Sequence, residues 1–323
     1  LLLTKHGNLR FPASNGMNWV LISVIAYFLS GANSVIDKYL LHRSIPHPLV
    51  YTFYVGVFSV FSVILAPFGF DWPGTEQFLW AIGVGIIFLA ALAAFFIALK
   101  ADEASRIVAL VGGTTPGFIL VLSIFIFGIA PTWQELLALL FLVFGAVVIS
   151  TRRNQKCSLI ELHKHECVQS TEVALLAALL FALFFVAAKF VFSNQEFVSG
   201  FVWTRIGSFL GALLLLFIPF VRRQIFHTTK TVRASVGALF IANKTLAGIS
   251  FFMLNYAIAL GNIALVNALE GLKYLFILIL ALIITRKLPA VLAEEITPFV
   301  LVQKVVAVAA IAAGLVVLQT SAL

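Results

Sequence analysis

Ten stretches of about twenty mostly apolar residues recur along the 323-residue chain, over 18–41, 48–68, 77–99, 104–127, 133–150, 172–192, 197–220, 234–258, 263–285 and 299–319. A bilayer core about 30 Å thick takes about 20 apolar residues per helix. Membrane barrel strands alternate apolar and polar over about ten residues, and these runs are apolar throughout. Hydrophobic residues make up 62% of the chain and charged residues 11%, against about 25% charged in a water-soluble domain. A soluble globule, a disordered chain and a disulfide-stapled secreted scaffold are all excluded. The expected fold is an all-α integral membrane protein with ten transmembrane helices.

The net charge of +8 would suit nucleic acid only if it formed a patch, and it does not. Lys38, Arg43, Lys100, Arg106, Arg152, Arg153, Lys156, Lys164, Arg222, Arg223, Lys230, Arg233, Arg286 and Lys287 all lie at gaps following odd-numbered stretches. The gaps after even-numbered stretches carry Asp71, Glu76, Glu135 and Glu196 and no Lys or Arg. Cationic loops stay in the cytoplasm, so both termini are expected on the non-cytoplasmic side of a bacterial or archaeal cytoplasmic membrane. Trp19, Trp72, Trp80, Trp133 and Trp203 all lie toward the terminus side, as an interfacial belt would. Met17 directly precedes the first stretch and is expected as the natural start, with residues 1–16 a tail.

The polar gap 151–171 divides the stretches into two sets of five, 17–150 and 172–323. Short segments recur across it in the same order. "VILAPFGF" (63–70) matches "LLLLFIPF" (213–220), "FFIALKAD" (95–102) matches "NYAIALGN" (255–262), "ALVGG" (109–113) matches "ALEGL" (268–272), and "GAVVIST" (145–151) matches "GLVVLQT" (314–320). Five is odd, so the second set enters the membrane from the opposite side, giving two inverted repeats of the kind transporters use.

The pair Asp37-Lys38 ending the first helix, the junction Ala98-Leu99-Lys100, Pro116 within the fourth helix and a Gly-rich last helix in each set together resemble the drug/metabolite transporter superfamily, specifically its EamA-type members. The resemblance spans residues 17–323. It implies a small-molecule transporter of two five-helix halves, with no cofactor. Gly128-Ile129-Ala130-Pro131-Thr132 stands where many members carry a Gly-Glu-Arg-like turn. Tyr27, Ser30 and Asn33 occupy the region where small multidrug relatives carry a proton-exchanging glutamate.

Charge inside a bilayer costs on the order of 3 kcal/mol per group, so each intramembrane charge needs a partner or water. Lys189, Arg205 and Lys304 sit near helix ends, where snorkelling to the headgroups explains them as well as function does. Lys244, Glu270 and Lys273 lie deeper and are expected to line one central cavity. Two cations against one anion leave a positive charge for an anionic or carboxylate-bearing substrate, although Glu270 and Lys273, three residues apart, can also simply neutralise each other. Helical spacing adds Gly248, Phe251 and Asn255 to Lys244, adds Asn267 and Tyr274 to Glu270, and aligns Ser23, Tyr27, Ser30, Ser34 and Lys38 on the first helix. Lys244, Asn255, Asn267, Glu270, Lys273, Tyr274, Tyr27 and Ser30 are the expected substrate-binding set. Gly112, Gly113, Pro116 and Gly117 are expected to serve close packing or a hinge, because Pro116 cannot donate to the carbonyl of residue 112.

Cys157, His163, His165 and Cys167 share one gap, but their spacing matches no standard zinc site. No phosphate loop, serine elbow or HExxH helix occurs. The expected function is therefore a secondary transporter moving a small, anionic or amino-acid-like metabolite by alternating access, driven by an ion or exchange gradient where transport is uphill. The alternative is a flippase for a lipid-linked substrate. An intramembrane enzyme would call for paired deep carboxylates, where only Glu270 is expected. The bilayer and the small-molecule substrate are the expected partners, nucleic acid is not one, and the oligomeric state is left open.

Overall fold

A computed structural model describes residues 2–3, 9–10, 18–44, 47–127, 132–150, 166–231, 234–260, 269–287 and 297–321. The helices are α1 (Asn18–Arg43), α2 (Pro48–Phe58), α3 (Thr75–Ala101), α4 (Ala104–Phe127), α5 (Trp133–Ser150), α6 (Glu166–Asn194), α7 (Phe197–Leu214), α8 (Pro219–Thr231), α9 (Ala234–Leu260), α10 (Gly271–Lys287) and α11 (Pro298–Ser321). Leu2–Leu3 and Leu9–Arg10 pair as a short antiparallel ladder in the N-terminal segment read as a tail.

Among the described residues eight helices, counting the α2 span as Pro48–Phe68, are long and apolar enough to cross a bilayer, as in an integral membrane protein. The apolar runs of α5 (Trp133–Ile149) and α10 (Gly271–Ile284) are shorter. The expected ninth stretch began at 263, and residues 261–268 lie outside the described residues. The Cys/His group fares differently by member: 157, 163 and 165 lie outside them, whereas Cys167 falls in the first turn of α6.

The helix ends have physical causes, and three of them depart from the sequence reading. Pro48 opens α2 at its first turn, where its missing N–H costs nothing. After Phe58 the chain tightens into a 3₁₀ helix over Ser59–Phe68 and stops at Gly69, whose φ of 127° suits glycine alone. α7 likewise ends in a 3₁₀ turn, Leu215–Phe217, with Ile218 extended after it. The polar gap that follows, read as a connection, is the amphipathic helix α8. Its Val221, Ile225 and Thr228 recur at helical spacing and are buried on the side facing α2. Arg222 and Arg223 are exposed beside Phe220 and Phe226, the make-up of a helix lying in a membrane interface.

Five helix pairs fix the neighbours of the site. α1 packs against α9 and α10, while α6 packs against α3 and α4; α5 packs against α11. At the crossing of α3 and α7 glycines let the backbones touch: a Cβ on Gly207 would lie 2.5 Å from the Ile82 carbonyl, and Ser208 Oγ donates to the Gly85 carbonyl at 3.0 Å. At the end of the bundle away from the Lys/Arg-rich gaps, Trp203 Nε1 and Ser199 Oγ donate to the Asp71 carbonyl at 3.1 and 2.8 Å. Trp72, Phe70 and Phe78 pack around Trp203 there.

Candidate functional site

The deep charges form two separate layers rather than one. In the first layer, Glu270 immediately precedes α10 and Lys273 sits in its first turn, with Lys273 Nζ 3.9 Å from Glu270 Oε1. That is too long for a hydrogen bond. The two side chains are 38% and 22% exposed, so both can still take another partner. α1 meets α10 beside this pair at Gly31, one turn beyond Tyr27, where a Cβ would lie 3.4 Å from the Lys273 carbonyl. Lys273 Nζ sits 6.0 Å from the Tyr274 ring centre.

Tyr274 is buried, and its hydroxyl has no hydrogen-bond partner among the described residues. A buried unmade hydrogen bond costs about 1–3 kcal/mol, so this hydroxyl is open to a further partner. Its ring rests on α4 at Gly112, where a Cβ would collide with the tyrosine hydroxyl. Pro116, one turn on, removes the N–H that would otherwise bond the Gly112 carbonyl. The Tyr274 hydroxyl thus meets the backbone of Gly112 at the crossing of α4 and α10. Gly113 and Gly117 serve packing: a Cβ on either would come within 2.9 Å of Ile311 and Leu139 respectively. A Gly112→Ala change should cost about 1–3 kcal/mol through overpacking. Adding Tyr274→Phe should restore most of the lost thermal stability by removing the colliding oxygen.

Ser30 is half-buried on α1, and its carbonyl accepts from Ser34 Oγ at 3.2 Å. The Asn255 side chain and all of Asn267 lie outside the described residues. The stripe expected on α9 through Gly248 and Phe251 turns away from α1: a Cβ on Gly248 meets nothing within 4 Å, and Phe251 is exposed and stacked on Phe201. The face actually packed inward carries Asn243, Ser250 and Ala257, with Ser250 Oγ donating to the Ala26 carbonyl at 2.8 Å.

Lys244 belongs to the second layer. Its Nζ lies 2.8 Å from Asp37 Oδ1, and Tyr51 Oη and Asn243 Nδ2 each donate to that same oxygen at 2.5 Å. The rings of Tyr51, Phe96 and Phe240 stand 5.2, 5.6 and 5.7 Å from the ammonium, a range that favours a cation. Asp37 lies ten residues beyond Tyr27 on α1, about 15 Å along the axis. Lys244 thus has a partner of its own, apart from the Glu270–Lys273 pair with which it was expected to line one cavity. With Asp37 included, Lys244 is no longer the cation left over for an anionic substrate.

Sequence reasoning missed Asp37 because it lies six residues from the end of α1, where it was noted only with Lys38 as the pair ending that helix. The structure divides the pair. Lys38 Nζ donates to the carbonyls of Leu99 at 2.6 Å, Lys100 at 3.2 Å and Asp102, closing the C-terminus of α3. Nor does Lys304 snorkel: it is buried with Nζ 2.6 Å from Glu103 Oε2, an oxygen that Arg106 Nε approaches at 3.7 Å. Arg205 lies 4.5 Å over Phe88 and 4.9 Å from Phe201 rather than reaching a headgroup. Lys189 is exposed. Among the described residues no cluster of His, Cys, Asp and Glu could hold a metal.

The described residues thus form a bundle of long apolar helices with buried ion pairs between them. Residues 17–151 match the model of the EamA-like transporter family, part of the drug/metabolite transporter superfamily, so the resemblance seen in the sequence holds there. One solved structure, described only as "Crystal structure of protein", is similar with a TM-score of 0.52 at 18% identity, over 95% of this chain and 99% of that one. At that identity the likeness shows the fold alone. No curated protein matches.

Proposed function

We propose that the chain is a secondary transporter working by alternating access, built from inverted repeats over residues 17–150 and 172–323. The observation that carries this reading is an exchange of partners. If α1, α2, α3, α4 and α5 correspond to α6, α7, α9, α10 and α11, the packing of α1 on α9 and α10 becomes that of α6 on α3 and α4, as found. The contacts α5–α11 and α4–α10 map onto themselves, as they must beside a two-fold axis. Gly112 and Tyr274 meet at the α4–α10 crossing, so the first layer lies where the halves adjoin, the usual place for a transporter's substrate.

The reading supported for the substrate is a small amino-acid-like zwitterion. The Glu270 carboxylate takes an ammonium group, Lys273 takes a carboxylate, and the Tyr274 hydroxyl and Gly112 carbonyl take the polar remainder. A net-anionic substrate loses its support once Lys244 is paired. Purified protein should gain thermal stability with zwitterions and not with dicarboxylates or diamines of similar size. A shift only with dicarboxylates would reject this substrate class.

For orientation, the Lys/Arg-rich ends of the helices belong in the cytoplasm and the termini outside. Cys167, in the first turn of α6, should then resist an impermeant thiol reagent in intact cells and react in inside-out vesicles. Ready labelling in intact cells would reverse the orientation and leave the fold standing.

A further inference from the structure

The second layer needs its own explanation. Asp37, Tyr51, Phe96 and the pair Asn243–Lys244 bring α1, α2, α3 and α9 to one buried point, and α9 belongs to the other half of the chain from the first three. As a purely structural element this is a poor choice, since well-packed apolar residues often match or exceed the stability of a buried ion pair. Its advantage is in coming apart. Apolar surfaces that separate into water lose their full burial energy, whereas a carboxylate and an ammonium regain hydration.

The surroundings fit a contact that is wet at some stage. Asn33 Oδ1, one turn deeper on the same face of α1, is buried with no partner among the described residues, and so is Asn243 Oδ1 beside the pair. Ser30, Asn33, Ser34 and Asp37 share that face, so a polar line runs along α1 from the tyrosine layer to Asp37. A second tie between the halves, Glu103 with Lys304, lies at the same end of the bundle.

We infer that the Asp37–Lys244 pair, held by Tyr51 and Asn243, is the gate closing the transport path at the Lys/Arg-rich end, and that it parts when the path opens to that side. The inference rests on the alternating-access reading. Its test reads accessibility rather than uptake, so the gate can fail while transport stands.

The probe is Ser34→Cys in a background of Cys157→Ser and Cys167→Ser, reacted with an impermeant maleimide from either side of sealed vesicles. With the pair intact, labelling from the Lys/Arg-rich side should be slow. Asp37→Asn or Lys244→Met should speed it at least tenfold from that side alone. Tyr51→Phe, which removes one hydroxyl and little packing, should give a smaller increase in the same direction. The reversed pair, Asp37→Lys with Lys244→Asp, should slow labelling again. Rates within twofold of the parent from that side would overturn the gate. So would an equal rise from both sides, which reports general loosening.

Discussion

Asp37→Ala should lower the stability of the folded protein by about 3–5 kcal/mol, the usual cost of stranding one member of a buried ion pair. Three groups lose their acceptor at once: the Lys244 ammonium, the Tyr51 hydroxyl and the Asn243 amide. The aromatic box around Lys244 softens the loss by about 0.5–2 kcal/mol, since rings attract a cation but do not replace a counter-charge. Adding Lys244→Met should therefore recover much of the deficit by removing the stranded charge. Thermal melts in detergent of the two single variants and the double would show it as a clear positive coupling. Simple additivity would mean that the pair does not act as a unit.

The second large effect is expected at Glu103. This carboxylate faces Lys304 and Arg106 in a buried setting, so Glu103→Gln should remove the counter-charge both cations face and again cost about 3–5 kcal/mol. Lys304→Met alone should be milder, because Arg106 still faces the glutamate. The order of melting temperatures should be parent, then Lys304→Met, then Glu103→Gln. An unchanged melt for Glu103→Gln would contradict the placement of Lys304 beside it.

How much of this was legible in the sequence follows from what each signal depends on. Apolar runs fix where helices cross a membrane, because the bilayer imposes the same length on every one of them. Hence α1, α3, α4, α5 and α7 begin within two residues of their expected starts. α8 was missed because an interfacial helix buries only a narrow stripe, here Val221, Ile225 and Thr228, within a polar segment. The family resemblance was readable from a few small residues and one Asp-Lys pair. The partners of deep charges were not: Asp37 and Lys244 stand 207 positions apart, and nothing local marks them as a pair. Depth along a helix, the guide used for Lys244 and Lys304, cannot tell a free charge from a paired one. The Glu270–Lys273 pair was readable, since three residues along a helix set the contact.

The most direct measurement is uptake by the purified protein in sealed liposomes, with labelled zwitterionic metabolites and with exchange against unlabelled substrate inside. The account predicts saturable uptake of at least one zwitterion, accelerated by internal substrate, and its loss in a folded Glu270→Gln, Lys273→Leu double variant. Saturable uptake confined to anions, or a double variant that transports as well as the parent, would contradict it.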